Sequence, residues 1–123
     1  MAKKILIIED EEILLDLLKS KLETLGYEVY TAIDGEEGLK AIREVVPDLI
    51  LLDIVMPKMS GFEVMEEMQK DPSIKEIPVI VISNSGQPVE LDKAKQLGAK
   101  DWLIKTEFDA REVVEKVRAI LGE

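Results

Sequence analysis

The 123-residue chain contains neither cysteine nor histidine. Their absence removes thiol nucleophiles, zinc sites of the usual Cys/His kinds and any Ser-His-Asp triad. It also means that the chain cannot serve as its own phosphohistidine donor. Long apolar runs are missing, and the longest present fall far short of a membrane span. Met1-Ala2-Lys3-Lys4 leads into only a short apolar stretch, so no signal peptide is expected and a cytoplasmic protein is the default. Positive charge is in short supply: 16 Lys and Arg stand against 26 Asp and Glu, for a net charge of −10. A polyphosphate backbone would be repelled, so no direct nucleic-acid contact is expected. A bound cation or a cationic protein surface suits such a chain better. The length predicts one domain over 1–123, and the acidic surface predicts a monomer, with a dimer left open.

What is present is an alternation of short apolar runs with amphipathic stretches. Ile5 to Ile8, Tyr27 to Ala32, Leu49 to Asp53, Val79 to Ser83 and Trp102 to Ile104 read as strands. Between them Ile13, Leu14, Leu17, Leu18, Leu22 and Leu25 recur at helical spacing, and Gly26 follows as a stop. Leu39, Ile42, Val45 and Val46 form a second helical stripe ended by Pro47; Phe62, Met65 and Met68 mark a third. A fourth helix is expected from about Val89 to Leu97, and a fifth carries Val113, Val114, Val117, Ile120 and Leu121. Five strands alternating with five helices, joined by right-handed crossovers, predict an α/β three-layer sandwich around a parallel sheet. This pattern alone does not fix the strand order.

Chemistry gathers where the strands end. The first run is followed by Glu9 and Asp10, the third ends in Asp53, the fourth in Ser83, and the fifth is followed by Lys105. In a parallel sheet all of these share the carboxyl edge, where open α/β folds bind ligands. Three acids brought together repel one another and call for a hard cation such as Mg2+, with Asp10 and Asp53 as direct ligands and Glu9 acting through water. A carboxylate can also attack phosphorus. Lys105 could then pair with a phosphoryl oxygen and Ser83 could donate to another. Taken singly, each of these acids is more simply a cap or turn former.

Two stretches carry a family resemblance: Ile8-Glu9-Asp10-Glu11, and Leu52-Asp53 continuing through Met56-Pro57-Lys58-Met59-Ser60-Gly61. With Ser83 and Gly98-Ala99-Lys100-Asp101-Trp102-Leu103-Ile104-Lys105, the chain resembles the receiver domain of two-component response regulators along its whole length. The resemblance implies a flavodoxin-like fold with strand order 2-1-3-4-5. It implies Asp53 as the acceptor of a phosphoryl group from a sensor histidine kinase or phosphotransfer protein. Mg2+ would be held by Glu9, Asp10, Asp53 and the backbone carbonyl of Val55. Ser83 would be the switch hydroxyl and Lys105 the phosphoryl-binding cation. Output would pass to a downstream protein, with no catalysis beyond the chain's own phosphorylation and dephosphorylation.

Three positions depart from the family pattern. Thr106 follows Lys105 where proline is usual. A cis bond before a non-proline residue costs about 2.5–4 kcal/mol, which predicts a trans bond and a rearranged loop. Asn84 follows Ser83 where Ala or Gly is usual. Together with Val55 it is expected to crowd the site and slow dephosphorylation to an hour upward rather than seconds. Trp102 in isolation reads as a packed core residue; the resemblance makes it an aromatic that turns between outward and inward states, with its bulk opposing the inward one. Other classes fit less well. A haloacid-dehalogenase phosphatase expects a second Asp where Val55 stands, and a flavodoxin phosphate loop would not carry Glu9-Asp10-Glu11-Glu12. A non-phosphorylated docking module or an engineered receiver-like scaffold remains the alternative.

Overall fold

The computed structural model describes residues 2–122. The strands are β1 (Lys4–Ile8), β2 (Glu28–Ala32), β3 (Leu49–Asp53), β4 (Val79–Ser83) and β5 (Asp101–Ile104). The helices are α1 (Glu12–Thr24), α2 (Gly35–Val45), α3 (Gly61–Gln69), α4 (Pro88–Gln96) and α5 (Ala110–Leu121). All strand pairs are parallel, in the order β2-β1-β3-β4-β5. The flavodoxin-like order implied by the family resemblance is therefore the one observed. No helix among the described residues is long and apolar enough to cross a membrane.

Strand alternation divides the core in two. Ile5, Ile7, Leu49, Leu51, Ile80 and Ile82 face Leu15, Leu18 and Leu22 of α1 and Val113 and Val117 of α5. Leu6, Ile8, Ile50, Leu52, Val79 and Val81 face Leu39 and Ile42 of α2, Val64, Met65 and Met68 of α3, and Ala94 of α4. Successive strand side chains point to opposite faces, so a continuous apolar run is what a doubly covered strand requires.

The expected stripe on α1 needs correcting. Leu15, Leu18 and Leu22 are buried, whereas Ile13 is 88% and Leu17 61% exposed. Leucines at nearly every turn position made two faces plausible, and only the sheet decides which one is covered. Three strand starts also move by one residue: β1 starts at Lys4 rather than Ile5, β2 at Glu28 rather than Tyr27, and β5 at Asp101 rather than Trp102.

Helix starts are set by local chemistry. Asp34 caps α2 by accepting from the Glu37 N–H at 2.8 Å, and Asp109 caps α5 through Glu112 at 2.9 Å. Ser60 and Glu63 form a reciprocal capping box on α3. Glycine then permits a close approach: a Cβ at Gly61 would lie 2.4 Å from the Asp53 carbonyl oxygen. The start of α3 is thereby pressed against the end of β3.

Gly61→Ala is expected to cost about 2 kcal/mol of stability through this overlap. Urea denaturation checks it, and an unchanged midpoint would refute the close-approach role.

Candidate functional site: an acidic pocket at the carboxyl edge

Three strand ends build the pocket. β1 delivers Glu9, β3 delivers Asp53, and the residue after β5 is Lys105. Glu9 and Asp53 are buried, and Asp10 is exposed. The Lys105 ammonium donates to Asp53 Oδ2 at 3.0 Å and to Glu9 Oε2 at 3.2 Å. It also lies 3.2 Å from Glu11 Oε1. The main chain holds Lys105 in place, since its N–H donates to the Ser83 carbonyl at 2.7 Å. Backbone donors fix the acids too: Val55 N–H to Asp53 Oδ1 at 3.2 Å, and Glu11 N–H to Glu9 Oε2 at 2.9 Å.

One oxygen stands apart. Glu9 Oε1 is buried and, among the described residues, has no hydrogen-bond partner. Ligand atoms of Glu9, Asp10 and Asp53 all lie within 4.8 Å of one another. An orphaned acceptor among clustered carboxylate oxygens has the donor chemistry of a hard-cation site.

The electrostatics agree. Burial raises the Glu9 carboxyl from 4.5 to about 7; the Glu11 N–H opposes this, and Asp53 adds to it. Burial likewise raises Asp53, against the pull of Lys105. Burial disfavours the Lys105 ammonium, but hydrogen bonding to Asp53 and the charges of Asp53 and Glu9 outweigh it, so Lys105 is held above its ordinary value. One cation does not balance two buried acids.

The other expected residues lie around this centre. Ser83 is buried at the end of β4 beside β3, and its hydroxyl contacts Glu90 and the Gly86 N–H. Val55 is 57% exposed, and Asn84 is exposed next to Ser83. The Lys105–Thr106 bond is trans, since the described residues contain no cis peptide. The chain turns after it, with the Glu107 and Phe108 N–H groups both donating to the Ile104 carbonyl.

Trp102 is not the packed core residue that it reads as in isolation. It is 38% exposed and turned outward, with the Lys116 ammonium 5.8 Å from its ring centroid. Lys116 also bonds the Trp102 carbonyl and pairs with Asp101 at 3.1 Å.

Glu11 and Glu90 were not among the expected residues. Glu11 stands two places after Glu9 in an acidic run, where sequence offers nothing to separate it from its neighbours.

A known family accounts for this arrangement: the model of the response regulator receiver domain matches residues 5–118. The chain belongs to that family. It is 40% identical to the alkaline phosphatase synthesis transcriptional regulatory protein PhoP of Bacillus subtilis, over 98% of this chain and 49% of that protein. The chain thus spans about half the length of this curated relative. Among solved structures, chemotaxis protein CheY4 of Vibrio cholerae superposes with a TM-score of 0.91 at 28% identity, covering 98% of this chain and 99% of that one. The receiver domain of sensor histidine kinase PA1611 from Pseudomonas aeruginosa, solved with a magnesium ion in its active-site cleft, shares the fold at 23% identity. Its TM-score is 0.90, and each chain is covered fully.

The raised Glu9 carboxyl gives the receiver a pH signature. The folded state binds that proton more tightly than the unfolded chain, so stability falls as pH rises from about 4.5 to about 7. Asp53, also raised by burial, acts in the same direction, while the lowered carboxyls of Glu67 and Asp71 are ionised across most of that range and no histidine titrates. Without divalent ions, the midpoint of thermal unfolding is expected to drop by several degrees between pH 5.5 and 7.5. Glu9→Gln should flatten that drop; an equally steep one in the variant would count against the assignment.

Proposed function

We propose that the chain is the phosphoacceptor switch of a two-component phosphorelay, with Asp53 receiving a phosphoryl group from a phosphohistidine. The observation that carries this reading is the buried Asp53 carboxylate, 3.0 Å from the Lys105 ammonium within a ring of acids. A structural ion pair would be closest to balanced; this one leaves an acid in excess and a carboxylate oxygen without a partner among the described residues.

The donor set fits Mg2+. Glu9, Asp10, Asp53 and the backbone carbonyl of Val55 would hold it, and the orphaned Glu9 oxygen speaks for this more than the acid count does. When bound, the ion supplies positive charge against the phosphoryl oxygens. A magnesium ion in the cleft of the PA1611 receiver supports the same choice.

The chain's own residues do the rest. An Asp53 oxygen attacks phosphorus, the P–N bond of the donor breaks, and the imidazole leaves with its electron pair and takes up a proton. Lys105 pairs with a phosphoryl oxygen, and the Ser83 hydroxyl turns to donate to another. Hydrolysis reverses the state: water adds to phosphorus, phosphate departs and the Asp53 carboxylate returns. The chain acts on no separate substrate.

The donor would be a sensor histidine kinase or phosphotransfer protein, and a cytoplasmic location accords with that donor. Output is a change in protein binding. The net charge of −10 argues against DNA contact by this domain. PhoP is a transcriptional regulatory protein, so a link to DNA through another part of a longer regulator accords with the relatives.

Val55, two residues past Asp53, and Asn84, next to Ser83, are both exposed. Crowding of an attacking water by these two side chains would make the phosphoryl group long-lived.

Intact mass after incubation with Mg2+ and acetyl phosphate should show one added phosphoryl group, which does not form when the metal is chelated beforehand and is absent in Asp53→Asn. A wild type without adduct would move the weight to a docking module. For the lifetime, Asn84→Ala is expected to lose phosphate faster than wild type, and equal rates would sink the crowding argument.

A further inference from the structure

A hydroxyl carries a single proton, and in Ser83 that proton is already engaged. Ser83 Oγ donates to the Glu90 carboxylate and accepts from the Gly86 N–H at 3.0 Å. Glu90 is the third residue of α4, the place from which a glutamate ordinarily reaches back to the N-cap N–H. The N-cap of α4, Gln87, makes no side-chain cap bond, unlike Asp34, Ser60 and Asp109 at the starts of α2, α3 and α5. The acid that could close α4 on itself is directed to Ser83 instead.

The same hydroxyl fixes the preceding loop. Gly86 has φ +67°, and a Cβ there would meet Ile104 Cδ1 at 2.6 Å, so the loop rests against the last residue of β5. Lys105 follows at once, with its N–H on the Ser83 carbonyl. One residue, through its hydroxyl and its carbonyl, thus ties together the end of β4, the start of α4 and the segment that carries Lys105.

We propose that Glu90 is a positioning residue that holds the Ser83 hydroxyl away from Asp53, so that occupancy of Asp53 by a phosphoryl group requires the Ser83–Glu90 bond to break. This rests on the phosphoacceptor reading above. Turning Ser83 toward a phosphoryl oxygen removes the partner of Glu90 and the acceptor of the Gly86 N–H in one movement. Both losses fall on the first turn of α4 and its loop, which loosen as the site fills. Glu90 therefore opposes phosphorylation and also reports it.

A double-mutant cycle tests this, with beryllofluoride and Mg2+ as the phosphoryl mimic and its affinity read by fluorine NMR of the bound species. A hydrogen bond to a charged partner is worth enough that Glu90→Ala should tighten binding by about tenfold. Glu90→Gln, which keeps an acceptor oxygen, should recover part of the wild-type affinity. In a Ser83→Ala background, Glu90→Ala should change nothing. Unchanged affinity in the Glu90→Ala single variant would overturn the inference. Equal tightening with and without Ser83 would overturn it too, because loss of a nearby negative charge would then explain the effect. A wild type that neither binds the mimic nor gains a phosphoryl group from acetyl phosphate overturns the phosphoacceptor reading, and this inference with it. An adduct on Asp53 with no effect of Glu90 overturns this inference alone.

Discussion

Two buried carboxylates share one ammonium, and the rest of the site is arranged around that imbalance. Glu9 and Asp53 are removed from water at the ends of adjacent strands, with Lys105 bonded to both. Burying an ion is costly unless good geometry and further hydrogen bonds offset the loss of water. Two backbone N–H groups supply part of that offset. The remainder is left standing, as a Glu9 carboxyl raised to about 7 and an oxygen without a partner. A site in this condition favours whatever brings positive charge, and it disfavours further negative charge unless that charge comes with a cation.

The fold keeps the imbalance in place by fixing main chain before side chain. β1 and β3 are covered on both faces by apolar side chains, so neither strand can shift to relieve its terminal acid. The Lys105 N–H is held on the Ser83 carbonyl, which couples the lysine to β4 independently of its ammonium. Gly61 lets α3 begin against the Asp53 carbonyl. A trans Lys105–Thr106 bond followed by a tight turn leads the chain to Phe108, which packs against the core on the α1 and α5 side. The usual proline is therefore not needed to place the lysine.

Much of this was legible in the sequence because it rests on short-range pattern. Apolar runs of fixed length gave the strands, and reading the residue after each run gave Glu9, Asp10, Asp53, Ser83 and Lys105 as candidates for one edge. Strand order came from the family motifs, since alternation of β and α says nothing about which strands are neighbours. The covered face of α1 was not legible: Ile13, Leu15 and Leu17 are equally apolar, and the choice among them is tertiary. Trp102, read in isolation, misled for a related reason. Its size suggested burial, but β5 is an edge strand, and the Lys116 chain lies over the outward ring.

Glu90 shows why pattern fails where one residue satisfies two rules. An acid in the first turn of a helix is what the macrodipole favours, so in sequence it needs no further explanation. Its side chain nevertheless crosses to the end of β4 and accepts the hydrogen bond of a buried hydroxyl. Ser83 must choose between Glu90 and any oxygen arriving on Asp53, because it has one proton to give. The energy available to move α4 is then the difference between those two bonds, not the strength of either. A stronger hold by Glu90 makes the resting state more secure and the response smaller. If Asp53 is the phosphoacceptor, the set point of the switch would lie in a residue outside the acidic pocket, on the helix whose first turn would loosen.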